Sequence, residues 1–196
     1  MIAGLILAGG TGSRLGGVDK ALLTLDGQPL IAHLLPRLAP QVGPLAISAN
    51  GDPSRFAAWS LPVLPDGARA GIGPLAGVAA GLEFAAAVGA AALLTVPVDT
   101  PFIPADLAAR LAPAPAVATH GGRQHHLVAL WPVGFLPELL AYLAGPGAGP
   151  VLDALRLCAA RPVAFPQAMD PFHNINTAAD LAAAWARCDP APAAET

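Results

Sequence analysis

The chain has 196 residues, a length that suits one domain with a substantial core. Its net charge is −3 and only 12% of its residues are charged, so it offers a nucleic acid no broad basic face. Hydrophobic residues make up 55%, but much of that is alanine, and the longest uncharged helical stretch, 84–98, is broken by Gly89, Thr95 and Pro97 and is too short for a membrane span.

Apolar β-type runs alternate with Ala/Leu-rich helical ones. Residues 3–8 read as a strand, and 29–38 as a helix with Pro29 near its start and Pro36 limiting its length. A strand at 45–49, a short helix at 53–59 and a short strand at 62–64 follow. Residues 74–88 form a helix, 92–96 a buried strand and 104–111 a helix. Strands at 116–119 and 126–131 flank a turn at Gly121 and Gly122. Helices at 135–143 and 151–157 are separated by a Gly/Pro-rich break, and 162–165 is a strand. A last helix, 177–187, takes Asn176 or Thr177 as its N-cap. The order implies an α/β fold with a mostly parallel sheet, made mixed by one hairpin, and helices on both faces. Residues 1–188 make one domain, and 189–196 a disordered tail.

The densest signal is the loop after the first strand. Gly9, Gly10, Gly12, Gly16 and Gly17 fall within nine residues. Glycines let a backbone turn sharply and bring its N–H groups against phosphate oxygens. Arg14 and Lys20 follow, and Lys20 is the sole lysine against nine arginines. Neither the P-loop nor the six-residue dinucleotide pattern is present, because Lys20 is followed by Ala21 and position 15 is Leu. The loop still reads as a nucleoside triphosphate site.

Ligands of such folds sit at the carboxyl ends of strands. There the chain places Asn50, Asp66 and Asp99 as well as the glycine loop. Asp99 is held between Pro97 and Pro101, poorly placed to cap a helix and suited to hold Mg²⁺ against phosphate. Asn50 and Asp66 each precede a glycine, so turn formation and recognition of base or ribose are both compatible with them. Gly73 to Gly77 open a helix with little side-chain bulk. Asn174 and Asn176 fall on one side of an extended segment and suggest a polar pocket. His125 and His126, adjacent on a strand, face opposite ways and make a poor metal site. Cys158 and Cys188 lack metal spacing and read as free thiols of a cytoplasmic protein, with no leader ahead of the first strand.

These residues resemble the molybdenum cofactor guanylyltransferases over nearly the whole chain. Leu7-Ala8-Gly9-Gly10, followed by Arg14-Leu15-Gly16-Gly17-Val18-Asp19-Lys20, is similar to that family's opening motif. Pro97-Val98-Asp99-Thr100-Pro101 is similar to its metal segment, Gly73 to Gly77 to its G-P-L-A-G, and Asn174-Ile175-Asn176-Thr177 to its closing N-x-N-T. The resemblance implies a Rossmann-like, three-layer α/β/α nucleotidyltransferase fold. It implies GTP bound by Leu7, Ala8, Gly9, Lys20, Asn50, Asp66 and Asp99, with Gly10, Gly12 and Gly77 lining the same site and Asp99 holding Mg²⁺. The acceptor would be the terminal phosphate of Mo-molybdopterin, on the side of Arg123, His125, Asn174 and Asn176. This chain departs from the family in having His125-His126 where His-Pro is common, and in lacking basic residues at 145–150.

The implied reaction is in-line attack of an acceptor phosphate oxygen on the α-phosphorus of GTP, releasing pyrophosphate. The nucleophile is already anionic, so catalysis rests on positioning and charge neutralisation by the loop amides, Arg14 and Lys20. The alternatives are CMP transfer to the same cofactor, a sugar-nucleotide pyrophosphorylase-like transferase, and a non-catalytic GTP-binding adaptor. Gly9 and Thr100 count against the first, length against the second, and an intact Asp99 and Lys20 against the third. A monomer in transient contact with cofactor donor and acceptor proteins is expected.

Overall fold

A computed structural model of the chain describes residues 1–9, 11–12, 18–145, 149–177, 179–180 and 182–183. Seven strands form one sheet: β1 (Ile2–Leu7), β2 (Leu45–Ser48), β3 (Val63–Leu64), β4 (Ala92–Pro97), β5 (Ala116–His120), β6 (Arg123–Pro132) and β7 (Arg161–Ala164). Their spatial order is β7-β5-β6-β4-β1-β2-β3. All pairings are parallel except those of β6, which runs antiparallel to both β4 and β5. The expected mixed, mostly parallel sheet is therefore present. Gly121 and Gly122 turn the β5–β6 hairpin, both at positive φ that suits a glycine pair.

Alternation along the central strands sorts their side chains to two faces. Ile6, Ile47, Leu94 and Val96 face a core closed by α1 (Leu30–Leu38) and α3 (Leu107–Leu111). Leu5, Ala46, Leu93 and Trp131 face the opposite core, closed by α2 (Pro74–Ala87), α4 (Leu136–Ala144) and α5 (Val151–Leu157). The result is three layers. Helix α2 is buried nearly all round, and Gly81 lets it lie close on the sheet: a Cβ there would stand 2.5 Å from Leu5 Cδ2 and 2.8 Å from Leu93 Cδ2.

Two expected helices are present, and the starts of two further elements differ from expectation. Helix α1 runs through Pro36 to Leu38, because buried Leu30, Ile31, Leu34 and Leu38 anchor its inner face against the loss of one N–H donor near its end. Residues 53–59 form the expected short helix, with 3₁₀ geometry and the Asp52 carboxylate as its N-cap. Helix α3 begins three residues later than expected, at Leu107, and the side-chain oxygen of Gln41 accepts the Ala108 N–H. Strand β6 is longer than expected, starting at Arg123, and its register with β5 breaks between Gln124 and Ala129.

At the last helix, Thr177 Oγ1 accepts the Asp180 N–H at 3.1 Å and the Asp180 carboxylate accepts the Thr177 N–H at 2.8 Å. This reciprocal pair is a capping box, and it selects Thr177 as the cap. The remainder of that helix, Cys188 and the tail at 189–196 lie outside the described residues. Among the described residues no helix is long and apolar enough to cross a membrane.

Candidate active site at the strand ends

The carboxyl ends of β1, β2, β3 and β4 open on one cavity of about 470 Å³. Leu7, Gly9, Lys20, Asn50, Asp66, Gly77, Asp99 and Asn174 all line it. Eight residues singled out from the sequence therefore meet in one place, at the end of the sheet where ligands of such folds sit. Ala8 is buried just beneath the cavity wall, its N–H bonded to the Ser48 carbonyl at 2.9 Å. Gly10 and Arg14 lie outside the described residues. Gly12 belongs to a short ribbon in which Thr11–Gly12 pairs antiparallel with Val18–Asp19, bringing the chain back to Lys20.

Asp99 is the centre of the arrangement. It is 8% exposed and lies just beyond β4, in a turn closed by Thr100, whose N–H and Oγ1 both donate to the Pro97 carbonyl. Lys20 Nζ donates to Asp99 Oδ2 at 2.9 Å, and Asn174 Nδ2 donates to Asp99 Oδ1 at 3.1 Å. Lys20 Nζ also donates to Asn176 Oδ1. The Ile175 N–H reaches the Asp99 carbonyl at 2.9 Å. Both asparagines expected on the acceptor side thus contact the Lys20–Asp99 pair directly, and Asn174 also lines a second cavity.

Asn50 and Asp66 form a pair at the far rim. Asn50 Nδ2 donates to Asp66 Oδ2 at 2.6 Å, and the Asp66 N–H donates to Asn50 Oδ1 at 2.9 Å. Gly77, on the first turns of α2, is forced by packing: a Cβ there would collide with Ser48 Oγ and stand 3.2 Å from Leu7 Cδ2. Gly73, at φ +99, lets the chain enter α2 at the cavity edge. The helix end supplies partial positive charge there.

The second cavity, about 350 Å³, shares Pro97, Leu127 and Asn174 with the first and adds Arg123, His125 and His126. The two hairpin residues expected on the acceptor side, Arg123 and His125, therefore sit beside the Asp99 centre. His125 is nevertheless 8% exposed, whereas His126 is half-buried and also lines a third cavity beside α5. Burial lowers the His125 pKa, opposed by the Asp170 carboxylate and assisted by Arg123, His120 and His126.

Sequence reasoning missed Ser48, Asp19 and Arg55. Asp19 Oδ1 caps the turn at Lys20 by accepting the Ala21 N–H at 3.0 Å, and Asp19 Oδ2 accepts Arg55 Nε at 2.7 Å. Arg55 in turn donates to the Asn50 carbonyl at 2.6 Å. The loop carrying Lys20 is thereby tied to the strand end carrying Asn50. Asp19 stands next to the sole lysine, and that adjacency is the signal that could have found it.

A mixed sheet of this order, with a lysine–carboxylate centre and a cavity at its strand ends, defines a nucleotidyltransferase of Rossmann-like fold. Solved structures share the fold: the molybdopterin-guanine dinucleotide biosynthesis protein A of Archaeoglobus fulgidus superposes with a TM-score of 0.73 at 22% identity, covering 96% of this chain and 98% of that one. A Mycobacterium tuberculosis protein solved with manganese gives a TM-score of 0.65 at 18% identity, covering 93% of this chain and 96% of that one. Residues 4–163 match the family of MobA-like NTP transferase domains, and the chain belongs to that family. It is 57% identical to the molybdenum cofactor guanylyltransferase of Acidiphilium cryptum, across 94% of each chain. Its identity to the protein of that name from Cereibacter sphaeroides is 55%, over 92% of this chain and 94% of the other.

Proposed function

We propose that this nucleotidyltransferase transfers GMP from GTP to the terminal phosphate of Mo-molybdopterin, releasing pyrophosphate. The single observation that carries the reaction class is the convergence of Lys20 and Asn174 on Asp99, with Asn176 accepting from Lys20, at the mouth of the strand-end cavity. The choice of GTP and of the molybdenum cofactor rests on relatives of that name at up to 57% identity along almost their whole length.

Asp99 is the residue suited to hold a divalent cation, taken here as Mg²⁺. The described residues include no group of three His, Cys, Asp or Glu side chains that could cage a metal by themselves. That donor set fits Mg²⁺, which is held by one or two carboxylates together with substrate phosphates. When bound, Mg²⁺ supplies charge neutralisation on the phosphate oxygens of the reacting group. Lys20 is held beside that carboxylate, where its ammonium can turn to the triphosphate. Asn50 and Asp66 offer an amide and a carboxylate to the base or ribose. Leu7, Gly9 and Gly77 present small or apolar surface, so the nucleotide can approach the backbone closely. Arg123 faces the second cavity, on the acceptor side. We take the enzyme to be cytoplasmic and monomeric, a single catalytic domain at 1–188, meeting cofactor donor and acceptor proteins transiently.

The test is pyrophosphate release with each of the four nucleoside triphosphates, Mg²⁺ and Mo-molybdopterin. GTP should support turnover far ahead of CTP. Asp99→Ala should lose it by on the order of 10²–10³ while keeping the wild-type circular dichroism spectrum. Equal use of CTP overturns the guanylyl reading. Near-normal turnover by Asp99→Ala removes Asp99 from the mechanism.

A further inference from the structure

Residues 170–177 form a strap that runs from the hairpin to the Asp99 centre. Its far end is fixed by the site: Asn174 donates to Asp99, Asn176 accepts from Lys20, and Ile175 is fully buried against Leu25 and Leu30. Its near end is fixed by the hairpin. Phe172 is fully buried, packed edge-on against Phe165 at 5.1 Å and against the His125 ring at 5.0 Å. The Asp170 carboxylate turns the strap by accepting the Phe172 N–H at 2.8 Å through Oδ1. The same Oδ1 stands 3.5 Å from His125 Nε2.

His125 is unusual for a strand residue beside a cavity. Its side chain is only 5% exposed, and Nε2 is buried without a hydrogen bond among the described residues. A buried ring nitrogen left unsatisfied is costly, and the carboxylate it faces is the group that would satisfy it. The break in register between Gln124 and Ala129 frees this part of β6 from its ladder with β5, so position 125 can turn inward under the strap.

We propose that His125 is a positioning residue: acting through Asp170 and Phe172, it holds the strap so that Asn174 and Asn176 meet Asp99 and Lys20. This replaces the expectation that His125 touches the acceptor, and it rests on the transferase reading of the site only for its effect on turnover. Its structural part concerns Lys20 in the substrate-free protein and can be read without substrates.

Lys20 is the only lysine, so an amine-reactive reagent with peptide mapping reports its environment separately from the N-terminal amine. His125→Leu keeps bulk against Phe172 and removes the nitrogen. Asp170→Ala removes the carboxylate. Each should raise the Lys20 labelling rate roughly fivefold, because the loosened strap no longer keeps Asn176 on the ammonium, and the double variant should add nothing further. His125→Gln places a donor near the Nε2 position and should stay within about twofold of wild type. In turnover, His125→Leu should lower kcat with little change in the KM for acceptor. A wild-type labelling rate in both His125→Leu and Asp170→Ala overturns the proposal. So does a raised KM for acceptor with labelling unchanged, the result expected of a direct acceptor contact. Failure of the GTP reading would appear in the nucleotide panel and would leave the labelling result standing.

Discussion

Asn50 and Asp66 exchange two hydrogen bonds across the ends of β2 and β3, at 2.6 and 2.9 Å, so that one amide fixes both the carboxylate and the backbone of its partner. The pair presents a preset acceptor surface at the cavity rim. Asn50→Ala should leave Asp66 free to rotate and weaken GTP binding about tenfold, the effect of one lost hydrogen bond to a charged group. Discrimination against CTP should narrow with it. Titration calorimetry with both nucleotides checks this, and an unchanged GTP affinity would show that the pair serves only the turn.

Lys20 carries the second expectation. Lys20→Ala should lower kcat/KM on the order of a hundredfold, and Lys20→Arg should restore only part of it, because a planar guanidinium does not replace a compact ammonium between Asp99 and Asn176. Saturating GTP–Mg²⁺ should protect Lys20, and not the N-terminal amine, from amine-reactive label. Equal labelling with and without nucleotide would place the lysine outside the phosphate site.

The Gly77–Ser48 contact predicts a stability effect separable from catalysis. Gly77→Ala forces a methyl into Ser48 Oγ and should cost about 1–3 kcal/mol in urea unfolding of the ligand-free protein. Ser48→Ala opens that space, so the double variant should recover much of the loss. A full, additive loss in the double variant would mean that the strain lies elsewhere.

His125 links stability to pH. Burial lowers its pKa below the ordinary 6.5, against the pull of Asp170 and with the help of Arg123, His120 and His126. The folded state then binds fewer protons than the unfolded chain, so this residue's contribution to stability rises with pH. It is fully present above about pH 6.5 and is lost as pH falls from there toward the lowered folded value. Thermal midpoints of wild type should decline through that window more steeply than those of His125→Gln. Parallel profiles would mean that His125 titrates normally.

The frame of this enzyme was legible in its sequence because each part was signalled locally. The apolar runs of β1 and β4 read as buried strands, and Asp99 was marked by its prolines. Strand alternation around His125 and His126 was less informative, since one is buried and the other half-buried yet both line the second cavity. Side-chain partnerships across long separations were not legible. Lys20 meets Asn176 from 156 positions away, and Asp19 meets Arg55 from 36. Nothing in the pattern around either residue encodes such a pairing; it arises from the sheet order. The irregular register of β6 was equally silent, since an apolar/polar pattern carries no sign of where a ladder breaks.

The ion pair of Lys20 with Asp99 has one more consequence. Each member of the pair compensates the charge of the other. An orthophosphate arriving alone must draw the ammonium from its carboxylate, and a divalent cation arriving alone must evict the ammonium. On the proposed reading, a metal–triphosphate complex would replace both partners in one event, and the pair would act as a coincidence gate, closed to either half of its ligand and open to the whole. Orthophosphate alone should therefore bind wild type at least about tenfold more weakly than it binds Asp99→Ala, and Mn²⁺ alone at least about tenfold more weakly than it binds Lys20→Ala.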